Sequence, residues 1–187
     1  MIDEQQNPWQ IVSAQEIYTN PWIALTEYQV INPSGGKGIY GKVHFRNLAV
    51  GVLPLDQDLN TYLVGQYRFT LDRYSWEIPE GGCPENTDPL LSAQRELLEE
   101  TGLVAARWEP LAELHLSNSV TDEYGIVYLA RQLEQGTAEP EETEQLQVKK
   151  LPFAEVYQMM EKGIITDSLS VAAILKVKIM LADGRIS

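Results

Sequence analysis

The chain has 187 residues, with 14 Lys and Arg against 27 Asp and Glu for a formal net charge of −13, and 44% of it is hydrophobic. That length supports one well-buried domain, or one domain with a small extension. The acidic balance, with no clustered Lys/Arg stripe, argues against nucleic acid or an anionic membrane as partner, because both need a basic footprint.

No apolar run approaches the roughly 18–20 residues of a membrane-spanning helix. The opening MIDEQQNPWQ has neither the basic nor the apolar region of a leader peptide. A single cysteine, Cys83, excludes an intrachain disulfide framework and fits a reducing compartment. A cytoplasmic location is therefore expected. A small anionic substrate stays open, provided divalent cations bridge the charges.

In chain order, residues 9–18 and 22–31 are rich in β-branched and aromatic residues and read as strands. NPSGGKG at 32–38 supplies turn chemistry, and 39–45 returns as a hairpin partner. Residues 47–55 and 61–69 read as a second strand pair around the polar turn DQDLN, and YSWEIP as a further short strand. A helix follows: Asp88 can cap it, Pro89 suits its first position and Gly102 its end. Strands are expected near 106–116 and 124–133, with a polar loop between them. An acidic loop at 134–144 precedes the strand QLQVKKL. Two helices close the chain, PFAEVYQMMEKG and SLSVAAILKVKIML, the second capped near Thr166 or Asp167. Strands and helices out of alternation argue for an α+β fold, a layered α/β/α sandwich of mixed sheets rather than a doubly wound one.

The helix after Asp88 raises a question. Leu90, Leu91, Leu97 and Leu98 form one apolar stripe, and Glu96, Glu99 and Glu100 are expected on the side away from it. These carboxylates crowd the helix's C-terminal end, where the macrodipole disfavours them. Glu96 and Glu100 are also an i, i+4 like-charge pair, costing about 0.2–0.5 kcal/mol even in solvent. Hard oxygen ligands on one helix face suit Mg²⁺ or Mn²⁺. Spacing alone supports a solvated acidic face, bridged to Arg95, equally well.

The full stretch resembles the Nudix box. Gly81, Arg95, Glu96, Leu97, Glu99, Glu100, Gly102 and Leu103 all fall in register with that motif. One position departs: Thr87 stands where the family has its first glutamate, with Glu85 two residues earlier. Outside the box, GQYR at 65–68 and WEIPEGG at 76–82 resemble the branch that hydrolyses nucleoside-diphosphate sugars, the ADP-ribose pyrophosphatases among them. The tail from 141 to 175 is similar to that branch too.

The resemblance implies an N-terminal antiparallel β extension over 1–45 that helps build a homodimer, and a Nudix hydrolase domain over 46–187. It implies Mg²⁺-dependent hydrolysis (Mn²⁺ also possible) of a nucleotide sugar, foremost ADP-ribose to AMP and ribose 5-phosphate. GDP-mannose, a UDP-sugar or a dinucleoside polyphosphate are alternatives, and a non-catalytic ligand sensor is a different class. By the same resemblance Glu96 and Glu100 hold metal with Glu99 assisting, and the carbonyl of Glu80 completes the inner sphere. Arg95 orients the glutamates. Glu142, or else Glu144, serves as general base. Arg68 is the candidate for the distal phosphate or terminal ribose. Glu77 could accept from a base or ribose hydroxyl, or pair with Arg73, and Arg46 is a weaker anion-binding candidate. Trp22, Tyr28 and Tyr40 could stack a base, although strand aromatics more often pack a core or an interface. His44, His115 and Cys83 read as structural.

Overall fold

Three antiparallel strands open the chain: β1 (Gln10–Thr19), β2 (Ile23–Ile31) and β3 (Lys37–Phe45), in the order β1-β2-β3. The computed structural model describes residues 6–136 and 146–186. These divide into two units: one runs up to Asn47 and includes His115–Glu123, and the other comprises Leu48–Leu114 with the described residues from Tyr124 onward.

In the first unit, the β2–β3 hairpin turns where Asn32 Oδ1 accepts from the amides of Ser34 and Gly36, each at 2.9 Å. Gly35 takes the left-handed conformation there, with φ of 83°. The His115–Glu123 segment is tied to β3 by Val43 N–H donating to Val120 O at 2.8 Å. Asp122 clasps β3 more firmly. Its carboxylate takes Lys42 Nζ at 2.7 Å, His44 Nδ1 at 2.8 Å and the Phe45 amide at 3.0 Å. β1 is exposed along its whole length, Ile11, Val12, Ile17 and Tyr18 included.

The second unit holds, apart from the end residues Asn47 and His115, β4 (Asn47–Pro54), β5 (Asn60–Arg68), β6 (Arg73–Glu77), β7 (Glu80–Pro84), α1 (Pro89–Thr101), β8 (Leu103–His115), β9 (Tyr124–Gln135), β10 (Gln147–Pro152), α2 (Phe153–Glu161) and α3 (Ser168–Ala182). Its strands form two sheets, β10-β5-β6 and β7-β4-β9-β8. The expected pairing of residues 47–55 with 61–69 is not what forms. β4 runs parallel to β9, from Ala49 opposite Gly125 to Pro54 opposite Ala130, and meets the β5 segment only at the bridge Leu55–Thr61. Burial explains the choice. Val50, Gly51, Val52, Leu53 and Pro54 are all buried, so β4 needs covered faces on both sides and sits inside a sheet.

Those two faces define the layers. Val50 and Val52 share a core cluster with Cys83, Ala93, Leu97 and Leu103, which puts α1 on their side. Gly51 points the other way. A Cβ there would meet Ile78 at 3.0 Å and Leu169 of α3 at 3.6 Å. Helices on both faces of a mixed sheet make this an α/β/α sandwich, as the sequence suggests. Fully burying Leu97 contributes about 1.5–3 kcal/mol to this layer. No helix among the described residues is long and apolar enough to cross a membrane.

Candidate active site

The helix α1 begins and ends as its sequence dictates. Asp88 caps it by accepting from the Leu90 amide at 2.9 Å, with Pro89 at the first position. Gly102 closes it in the left-handed conformation at φ 70°, its N–H donating to Leu98 O at 2.8 Å.

The expected faces need correction. Glu96 and Glu100 are 9% and 4% exposed, whereas Leu91 of the expected apolar stripe is 59% exposed. The helix is covered on two sides, by the core and by β7, so its glutamates do not lie on a solvated face. Gly81 makes this possible: a Cβ there would come within 2.3 Å of the Glu96 carboxyl. The amide of Glu80 donates to Glu100 Oε2 at 3.0 Å. Arg95 gathers the rest, donating to Glu96 Oε1 at 2.5 Å, Glu99 Oε2 at 2.6 Å and the Gly82 carbonyl at 3.2 Å. Burial opposes the Arg95 charge, but Glu96 and Glu99 outweigh it and raise its pKa.

Arg68, at the end of β5, lies in a second acidic cluster. Its Nε donates to Glu77 Oε1 and Oε2 at 3.1 and 3.0 Å, and its Nη2 to Glu77 Oε2 and to Glu80 Oε1, both at 2.6 Å. Glu77 is 2% exposed. Burial alone would lower the Arg68 pKa, but the Glu77 hydrogen bonds and the charges of Glu80 and Glu77 raise it. Glu80 is pushed toward its neutral form: burial first, then the nearby Asp167 and Glu77 carboxylates, raise its pKa well above the usual range against the pull of Arg68. Asp167 caps α3 by accepting from the Ser170 amide at 2.7 Å.

Arg68, Glu77, Glu80, Arg95, Glu96, Glu99 and Glu100 thus all fall on β5, β6, β7 and α1, joined through residue 80. Glu77 pairs with Arg68 rather than Arg73, whose Nη2 donates to Thr166 Oγ1 at 2.6 Å. Arg46 belongs to the first unit, bonding the Asn20 carbonyl at 3.0 Å and Thr19 Oγ1 at 2.8 Å. Tyr28 and Tyr40, with Trp9, line a pocket of that unit of about 370 Å³, and Trp22 does not. Glu142 and Glu144 lie outside the described residues. Thr87 is an exposed residue of the turn before α1, its carbonyl accepting from Cys83 Sγ at 3.5 Å. Asp167, legible in the sequence as the α3 cap, and the side chain of Glu80 join this cluster without having been expected there. The signal lies in WEIPEGG, where Glu77 and Glu80 flank Ile78–Pro79.

The donor chemistry fits a hard divalent cation. Among the described residues no three His, Cys, Asp or Glu side chains converge as a ready-made chelate. Glu96 and Glu100 nonetheless bring two buried carboxylates against β7, the mix of few carboxylates with phosphate and water oxygens that Mg²⁺ accepts.

Buried carboxylates thus pack against a glycine-rich strand inside an α/β/α sandwich, a donor set that a hard divalent cation would fit. The match to the NUDIX domain model over residues 45–168 makes the class specific: the chain belongs to this family and is a Nudix hydrolase. It is 33% identical over 177 residues to an ADP-ribose pyrophosphatase of Mycobacterium tuberculosis, spanning 92% of this chain and 84% of that protein. A Bacillus subtilis ADP-ribose pyrophosphatase is 27% identical over 87% of this chain and 89% of its own length. A methanol dehydrogenase activator of Bacillus methanolicus is 32% identical over 67% of this chain and 69% of its own. In fold, a crystal structure of an ADP compounds hydrolase superposes with a TM-score of 0.84 at 20% identity, covering 95% of this chain and 97% of that one.

Proposed function

We propose that the chain hydrolyses the pyrophosphate of a nucleoside-diphosphate sugar, with ADP-ribose as first substrate giving AMP and ribose 5-phosphate, in the presence of Mg²⁺. The observation that carries this reading is the similarity to the M. tuberculosis ADP-ribose pyrophosphatase across 92% of the chain.

Glu96 and Glu100, with Glu99 and the Glu80 carbonyl, would hold the cations. When bound, these polarise the phosphorus and lower the pKa of an attacking water. Arg95 keeps the Glu96 and Glu99 carboxylates apart and oriented. Arg68, stiffened by Glu77, offers a fixed guanidinium to the sugar-side phosphate or ribose. Glu142 is the proposed base that takes the water's proton, with Glu144 the second choice. Arg46 is the weakest of the substrate contacts, since it is already bonded to Thr19 and Asn20.

The exposed apolar residues of β1 support a homodimer built through the N-terminal sheet, because a three-stranded sheet with a bare outer strand lacks a core of its own. Light scattering on the purified chain should give twice the monomer mass. For the reaction, phosphate release with a coupled phosphatase from ADP-ribose, GDP-mannose, UDP-sugars and dinucleoside polyphosphates ranks the substrates. ADP-ribose leads if the reading is right, and a flat response to ADP-ribose sinks it.

A further inference from the structure

Glu80 stands at a junction between the two acidic clusters. Its backbone N–H donates to Glu100 Oε2 at 3.0 Å, and its carboxyl Oε1 accepts from Arg68 Nη2 at 2.6 Å. The other carboxyl oxygen, Oε2, is buried with no hydrogen-bond partner among the described residues. Its neighbour is the Asp167 carboxyl, already committed to the N-terminus of α3. A buried acid beside two other acids is a poor choice for stability alone, since an apolar side chain would avoid the desolvation. What the Glu80 side chain does hold is Arg68.

Glu77 grips Nε and Nη2 of that guanidinium from one side, and Glu80 takes Nη2 from another. Two carboxylates on one guanidinium fix both its position and its plane. None of these bonds uses Nη1, and the Arg68 side chain is 34% exposed, so one edge of the fork remains available.

We propose that Glu80 is a positioning residue, holding Arg68 in the plane that presents its open edge to substrate and, through its own amide on Glu100, in register with the α1 carboxylates. This rests on the reading that Arg68 contacts substrate. Glu80→Ala leaves Arg68 on the Glu77 fork alone, without the second anchor on Nη2. Glu80→Gln keeps an acceptor for Arg68 and turns an amide donor toward Asp167.

The test is steady-state kinetics of wild type, Glu80→Ala, Glu80→Gln, Arg68→Ala and the Glu80→Ala/Arg68→Ala double variant, on whichever diphosphate compound wild type cleaves fastest. Glu80→Ala should raise KM about 10-fold with little change in kcat, the usual scale for losing a supporting partner. Glu80→Gln should restore most of it, and Glu80→Ala should add nothing on top of Arg68→Ala. A fall in kcat at unchanged KM, or a full additional effect in the double variant, overturns the proposal. The Arg68 Nη2–H resonances provide a readout independent of turnover, since Nη2 is the nitrogen that Glu80 holds. They should be protected from exchange in wild type and in Glu80→Gln, and exchange fast in Glu80→Ala. Equal protection in all three overturns the proposal even where ADP-ribose proves not to be the substrate.

Discussion

Asp122 and Glu80 are both carboxyls beside cations, yet their surroundings push them in opposite directions. Asp122, in the first unit, works against some burial but receives Lys42, His44 and the Phe45 amide, and its pKa falls to about 2. Glu80, in the second, is buried beside Asp167 and Glu77 and shares Arg68 with Glu77, and its pKa rises well above the usual range. Where donors outnumber carboxylates, the result is a clasp holding a loop to a strand. Where only Arg68 and Arg95 stand among the carboxyls of Glu77, Glu80, Glu96, Glu99, Glu100 and Asp167, the fold maintains a crowded acidic cluster at a cost, and Glu80 is pushed toward its neutral form. That asymmetry is what the site proposed in the second unit would need.

Breaking the crowded side should have the largest effects. Glu100→Gln alters one of the two buried glutamates proposed to hold metal and should lower kcat by about 10²–10³-fold while the protein stays folded, as kinetics beside a melting curve would show. Arg68→Ala leaves Glu77 buried without its guanidinium and should destabilise the fold by about 3–5 kcal/mol in chemical denaturation. Gly81→Ala drives a methyl into the Glu96 carboxyl. It should cost about 1–3 kcal/mol in stability and reduce turnover as Glu96 is displaced, both of which the same two assays read.

The clasp should respond least. Asp122 is about one-third exposed on its side chain, so Asp122→Asn should cost less than about 1 kcal/mol. The pH dependence sharpens the contrast. With its folded pKa below the ordinary 3.8, Asp122 stabilises its unit above that value, and the contribution is lost as pH falls toward about 2. Melting temperatures of Asp122→Asn and wild type should therefore converge over that acidic window.

Local signals in the sequence were read well, and partner choice was not. Asp88, Pro89 and Gly102 delimit α1 because capping and left-handed closure depend on residues only a few positions apart. The β1–β3 meander was legible for the same reason. The placement of β4 beside β9 was not, since a strand buried on both faces takes neighbours that no turn residue announces. The glutamate motif pointed to metal binding, but helical periodicity said only that Glu96 and Glu100 lie away from the leucine stripe. It could not register that β7 covers that side, an irregular contact permitted by one glycine. Arg68's grip on Glu77 and Glu80 depends on how β5, β6 and β7 come together, which spacing along the chain does not encode.

The buried glutamates of α1 are proposed to serve cation-dependent cleavage of a nucleotide sugar. The most direct test follows AMP and ribose 5-phosphate formed from ADP-ribose by wild type and Glu100→Gln, each with Mg²⁺ and after chelation. Both products are expected from wild type with Mg²⁺, none after chelation, and little from the variant. Cleavage that survives chelation, or that Glu100→Gln leaves at the wild-type rate, would contradict that proposal.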